Sequence, residues 1–211
     1  MLSTISRSLL RPFVARAMVS SIRKGDSIDF YHDLDVQMPR SFEDAEGDGF
    51  AWTDFKNLVK DKTVAVFALP GVTGTCNKEH VPSWRDNAEA LKAAGVDEVL
   101  CVSVNDACTV DAWASYVDPE GELTFVADPS LKFTEAMGMK LDLSKNGLGV
   151  KSSRYSMLIE NGDVTELFVE KGLDMDISSA ENMLKHLKCG KARAAREALQ
   201  TPFGIYMANI E

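Results

Sequence analysis

The chain has 211 residues, of which 45% are hydrophobic and 26% charged, and a net charge of -9 from 23 basic and 32 acidic side chains. That size and mixture fit one ordinary core with appendages and exclude collagen-like, coiled-coil and wholly disordered classes. The acidic balance argues against a nucleic-acid partner, which needs a basic face, and four scattered cysteines are too few for a disulfide-rich secreted scaffold.

The charge is uneven. Residues 1–24 hold Arg7, Arg11, Arg16, Arg23 and Lys24 and no acid, so the -9 divides into +5 there and -14 over the remainder. Serines 3, 6, 8 and 20 alternate with Leu2, Ile5, Leu9, Leu10, Phe13 and Val14. An arginine-rich, serine-rich, acid-free, amphipathic start is the composition of an organelle transit peptide; a basic tail is the alternative. Its apolar runs are too short to span a bilayer, so no membrane partner is expected. Arginine exceeding lysine favours mitochondrial over chloroplast import. The expected organisation is therefore a transit peptide over 1–24, a folded domain over 25–188, and a C-terminal extension over 189–211.

Residues 25–62 read as turn-rich and acidic, with loops around Pro39 and residues 43–49, then a short amphipathic piece from Trp52 to Val59. Thr63–Leu69 (TVAVFAL) is a continuous β-branched and apolar run, the pattern of a buried strand. Val81, Trp84, Ala88 and Leu91 recur at helical spacing and Gly95 follows, which predicts a helix over 76–94. Val96–Val104 reads as a second strand. Strand, helix, strand predicts a βαβ unit with a right-handed crossover. A helix from Asn105 or Asp106, carrying Val110, Trp113 and Ala114, comes next, followed by a short strand at Leu123–Ala127. Asp128 and Pro129 read as the N-cap and first residue of another helix, closed by Gly138. Tyr155–Glu160 and Val164–Glu170 flank Asn161-Gly162, a type I′ hairpin signal. Ser178 and Glu181 have capping-box spacing before a helix with Met183, Leu184 and Leu187, and residues 191–200 suit one more short helix before Pro202. The order is α/β, compatible with a thioredoxin-like mixed sheet covered by helices on both faces.

Functional residues of a parallel sheet gather beyond the carboxyl ends of its strands. The first strand ends at Leu69 and delivers Pro70-Gly71-Val72-Thr73-Gly74-Thr75-Cys76. At the start of a helix, unpaired amides and the dipole favour the thiolate, so Cys76 is the candidate nucleophile. Thr73, three residues earlier, is placed to share a hydrogen bond with the sulfur or its substrate. Arg154 opens the hairpin's first strand and lies on the Cys76 edge of the sheet if that strand runs antiparallel to the central pair. No cysteine pair has C-x-x-C spacing, which counts against structural zinc and against a dithiol oxidoreductase.

Three ordered segments, LPGVTGTCNKEHVPSW (69–84), CVSVND (101–106) and GLGVKSSRYSMLIENG (147–162), resemble the type II, atypical two-cysteine branch of the peroxiredoxins. The resemblance extends from about Ile22 to Leu187. It implies a thioredoxin-like fold and reduction of hydrogen peroxide and alkyl hydroperoxides with no metal or organic cofactor, regenerated by external thiols (glutathione with glutaredoxin, or thioredoxin). It matches Cys76 to the peroxidatic cysteine, Thr73 and Arg154 to its polar partners, and Pro70 to the proline that shields the sulfur. His80 matches a histidine of this branch, expected to hydrogen-bond structurally, and Trp84 is expected in the core. The chain departs from the pattern with one residue fewer between Pro70 and Thr73, and with Gly74 where a proline is usual, which bears on the peroxide pocket. Cys101, 25 residues after Cys76, matches the resolving position of plant-like members. Cys108, past the end of the second strand, is the alternative, and an external thiol acting directly on Cys76 is a third. A homodimer is also implied. The competing reading is a redox-responsive binding or chaperone module with little turnover.

Overall fold

In the computed structural model, residues 21–32, 34–39, 50–72 and 74–199 are described, with side chains as far as Gly190. Expectations for residues 1–20, for the loop at 43–49, for Thr73 and for Pro202 lie outside them.

Strands β1 (Asp35–Pro39) and β2 (Phe50–Asp54) form an antiparallel hairpin, joined through helix α1 (Phe55–Val59) to β3 (Thr63–Leu69). A π-helical turn (Cys76–His80), α2 (Val81–Asp86) and α3 (Ala88–Ala93) lead to β4 (Glu98–Ser103), α4 (Ala107–Val117) and β5 (Thr124–Ala127). Helix α5 (Lys132–Ala136) precedes a small hairpin, β6 (Lys140–Leu143) and β7 (Gly149–Ser152). The chain continues through β8 (Tyr155–Glu160), β9 (Asp163–Val169) and α6 (Ala180–Leu199).

Seven strands make one mixed sheet in the order β2-β1-β5-β4-β3-β8-β9. β3, β4 and β5 run parallel, with β8 antiparallel to β3 and β1 antiparallel to β5. Because side chains alternate along a strand, β3 feeds two cores. Ala65, Phe67 and Leu69 pack with Cys101, Trp84, Leu91, Val110 and Met183 under α2, α3, α4 and α6. Val64, Val66 and Ala68 pack on the other face with Leu100, Val102, Phe55 and Phe133, whose two rings are 4.3 Å apart. This is the expected α/β arrangement.

Several elements differ from expectation for local reasons. The helix expected over 76–94 opens with a π turn in which the Val81 amide reaches back to the Cys76 carbonyl. Pro82 has no N–H to carry an α-helical ladder through that turn, and Asn87 (φ -105°, ψ 5°) breaks the helix again. Asp128 caps α5 from outside the N-cap position: the helix starts only after Leu131, at φ 60°, rather than at Pro129, but the Asp128 carboxylate accepts from the Thr134 amide of its first turn at 2.8 Å while its own amide stays in the sheet on the Ser103 carbonyl. Ser178 and Glu181 form no capping box. The Ser178 hydroxyl donates to Glu170, Ser179 Oγ accepts from the Asn182 amide, and Glu181 accepts from Ser83 and Asn87. Instead of a separate last helix, α6 runs unbroken past Gly190 to Leu199. β1, β6 and β7 lie where loops or nothing regular was expected, and the amphipathic piece expected over Trp52–Val59 divides into the end of β2 and α1; each of these strands is only four or five residues long.

The Asn161-Gly162 turn does form, with φ of 51° and 85°, the left-handed pair that type I′ requires. The expected domain boundary at residue 24 moves towards the N-terminus. Ile22 is buried in the second core, its amide donates to the Met137 carbonyl at 3.0 Å, and Lys24 pairs with Glu166 at 2.7 Å. Ser21 lies so close to Gly138 (φ 67°) that a Cβ there would stand 2.5 Å from Ser21 Cα. Residues 21–24 are thus part of the folded body.

Candidate active site

Cys76 follows the carboxyl end of β3 and is fully buried, with Pro70 and Gly71 also buried just before it and Val72 exposed. Asn77 ties its turn to α4, accepting a hydrogen bond from Trp113 Nε1 at 2.8 Å. The turn faces β8, because β8 pairs with β3 in antiparallel register, Ala68 opposite Tyr155. Arg154, the residue before β8, therefore enters at the Cys76 end of the sheet. Its Nη1 donates to Cys76 Sγ at 3.6 Å, across 78 residues of sequence.

Arg154 is 1% exposed, and the same Nη1 lies 3.1 Å from His80 Nδ1. A guanidinium has no acceptor, so Nδ1 presents its lone pair and the ring proton sits on Nε2. Nε2 meets the Ser178 carbonyl at 3.2 Å, an acceptor only, so both contacts specify the same neutral tautomer. Burial first, then the Arg154 charge, lowers the His80 pKa from 6.5 to about 3. The Ser178 carbonyl also accepts from Trp84 Nε1 at 3.2 Å, and Trp84 stacks on Phe67 at 4.9 Å between near-parallel planes. Trp84 is thus core, and His80 is a structural hydrogen-bonding residue placed directly between the hairpin arginine and the loop before α6.

The sulfur is thus buried among apolar side chains with the Arg154 guanidinium beside it. Arg154 Nε is buried with no hydrogen-bond partner among the described residues, a donor available to an oxygen of a small ligand. Among the described residues no group of three or more His, Cys, Asp or Glu side chains is placed to hold a metal ion.

The remaining thiols occupy different settings. Cys101 is fully buried inside β4, opposite Phe67, in the same apolar cluster as Cys76. Burial pushes its thiol well above the usual range, with Cys76 and Asp118 adding to the effect. Cys108 is exposed in the first turn of α4, and Cys189 is exposed on α6. Thr73 lies outside the described residues. Sequence reasoning did not single out Asn77, Glu170 or the Ser178 carbonyl. A backbone carbonyl carries no residue signature, and Glu170 reads simply as the end of a strand.

The family model described as Redoxin matches residues 35–184. Peroxiredoxin-2D of Arabidopsis thaliana is 40% identical over 143 residues, covering 67% of this chain and 88% of the relative. Mitochondrial peroxiredoxin-2F of the same plant is 35% identical over 153 residues, covering 72% and 76%. A crystal structure of reduced Prx3 in complex with H2O2 from Vibrio vulnificus superposes with TM-score 0.70 at 34% identity, covering 79% of this chain and 96% of that one. A buried cysteine after a central strand, an arginine on its sulfur and these likenesses converge: the chain belongs to the peroxiredoxins, in their type II branch, and is a thiol peroxidase.

Proposed function

We propose that this peroxidase reduces hydrogen peroxide and alkyl hydroperoxides at Cys76. The observation that carries the reading is the buried Cys76 Sγ held 3.6 Å from Arg154 Nη1, with Arg154 Nε pointing no donor at any described protein acceptor. The Cys76 thiolate attacks one peroxide oxygen; the S–O bond forms as the O–O bond breaks. The leaving oxygen departs with the bonding electron pair and takes up a proton, giving water or an alcohol and a sulfenic acid. Arg154, Thr73 and nearby backbone amides orient the peroxide and offset negative charge growing on the leaving oxygen, and Pro70 shields the sulfur from water. The neighbouring H2O2 complex supports a peroxide-sized substrate.

In the second half-reaction a thiol attacks the sulfenic sulfur and releases water, forming a disulfide. Cys101 is the preferred resolving thiol because it shares the Cys76 cluster. Its burial and raised pKa keep it protonated while β4 is closed, so resolution at Cys101 requires the Cys76 turn to open locally. Cys108, already exposed, is the alternative. The disulfide is then reduced by glutaredoxin with glutathione or by thioredoxin, with no metal or organic cofactor, and the working form is a homodimer. Residues 1–20, basic and acid-free, direct import into an organelle, mitochondria before chloroplasts. A mature domain retaining residues from Ser21 keeps Ile22 in its core.

Peroxide consumption by wild type and Cys76→Ser, followed by non-reducing peptide mapping after one equivalent of peroxide, tests the scheme. Activity lost with Cys76→Ser and a Cys76–Cys101 bridge are expected. Full activity in Cys76→Ser refutes the nucleophile, and a Cys76–Cys108 bridge refutes the resolving assignment.

A further inference from the structure

Glu170 is a largely buried carboxylate with no part in the chemistry above, yet its contacts lead directly into the site. It follows β9, is 9% exposed, and its amide donates to the Arg154 carbonyl at 3.0 Å. Its Oε1 accepts three hydrogen bonds: from the Asp176 amide at 2.7 Å, the Ser178 amide at 2.8 Å and the Ser178 hydroxyl at 2.8 Å. Burial pushes the Glu170 carboxyl up, but these donors outweigh it and hold the group below the usual carboxylate range. Three bonds converging on one charged oxygen clamp the 176–178 turn, because each is charge-assisted and shares the same acceptor.

The clamped turn determines where the Ser178 carbonyl points. That carbonyl receives His80 Nε2–H and Trp84 Nε1–H, each at 3.2 Å. Receiving the Nε2 proton obliges Nδ1 to offer a lone pair to Arg154 Nη1, 3.1 Å away, and that nitrogen stands 3.6 Å from Cys76 Sγ. If the carbonyl swings away, the Nε2–H tautomer loses the one acceptor it has among the described residues. A proton moved to Nδ1 would then face an Arg154 N–H, donor against donor, and turn the guanidinium off the sulfur.

We infer that Glu170 is a positioning residue for peroxide reduction: by clamping the 176–178 turn it aims the Ser178 carbonyl, which holds the His80 tautomer that orients Arg154 over Cys76. The inference rests on the reading of Cys76 as the peroxide-attacking thiol. It assigns the loop after β9, far from Cys76 in sequence, a direct influence on the rate of the first chemical step.

Single-turnover reduction of H2O2 by the pre-reduced full chain tests it. Glu170→Ala slows the reaction tenfold or more. Glu170→Gln, whose amide oxygen replaces Oε1 as acceptor, stays within threefold of wild type. In a His80→Ala background the chain of contacts is already cut, so Glu170→Ala adds less than a twofold further loss. Should Glu170→Ala not fold, Glu170→Asp replaces it: the charge is kept, the oxygen is drawn back by one methylene, and a threefold or greater loss is expected. The inference is overturned if the Ala or Asp variant reacts within twofold of wild type. It is equally overturned if Gln is as slow as Ala, or if the loss is the same with and without His80. A wild type that consumes no peroxide overturns the underlying reading as well, and that outcome is visible before any variant is compared.

Discussion

His80 makes acid stability a direct readout of the site's architecture. The ring is wholly buried, and burial with the adjacent Arg154 charge lowers its pKa to about 3 from 6.5. Between these values the unfolded chain binds a proton at this residue that the folded chain does not, so stability falls as the pH is lowered through that window and is complete above about 6.5. At pH 4.5 the unfolded state is favoured by two pH units of protonation at His80, roughly 3 kcal/mol relative to pH 7. Carboxylates also titrate there, so the His80 contribution must be isolated by difference. The perturbation is His80→Gln, which supplies an acceptor and a donor without a titrating proton. Urea unfolding of both proteins at pH 7.0 and 4.5 gives four stabilities. Wild type should lose roughly 3 kcal/mol more than the variant on acidification. Equal losses, or an imidazole NMR titration of the folded protein with its midpoint between 6 and 7, would refute the buried neutral histidine and the tautomer argument built upon it.

Arg154→Lys keeps a positive charge but presents a point donor in place of a planar fork, so even if its ammonium reaches Cys76 and His80 it has no second nitrogen to offer where Arg154 Nε stands. The single-turnover rate with H2O2 should fall roughly 100-fold, the scale of losing one preorganised donor to a developing charge; stopped-flow fluorescence measures it, and a rate within threefold of wild type contradicts the assigned role. Gly138→Ala forces a Cβ against Ser21 at a positive φ, and should destabilise the domain by about 1–3 kcal/mol. Limited trypsinolysis should then cut after Arg23 or Lys24 much faster than in wild type, since Ile22 loses its seat on the Met137 carbonyl.

Much of the fold is visible in local sequence. TVAVFAL forms β3 over the residues expected, because six successive apolar residues after Thr63 leave no solvent face to offer and must lie in the middle of a covered sheet. The Asn161-Gly162 turn is equally legible, since few residues tolerate two successive left-handed conformations. The edge hairpins were hidden for the opposite reason. β2 (FAWTD) is only partly buried along its length, and its pairing with β1 supplies what its own pattern does not. Ser178 shows how a correct residue acquires a wrong role. Its spacing to Glu181 is that of a capping box, but Glu170, brought alongside by β9, competes for its hydroxyl and wins because it is a carboxylate already holding two amides of the same turn.

For the site itself, the amino-acid order alone determined the position of Cys76 at the end of a buried strand, a matter of local periodicity and of the turn that follows. The partners of that sulfur were decided elsewhere. Arg154 reaches it only because β8 inserts antiparallel beside β3, and His80 stays neutral only because two elements far apart in sequence close over it. Periodicity specifies which face of a strand is buried but not which strand lies beside it. That choice belongs to the packing of the whole sheet, and with it the choice of what stands next to the thiol.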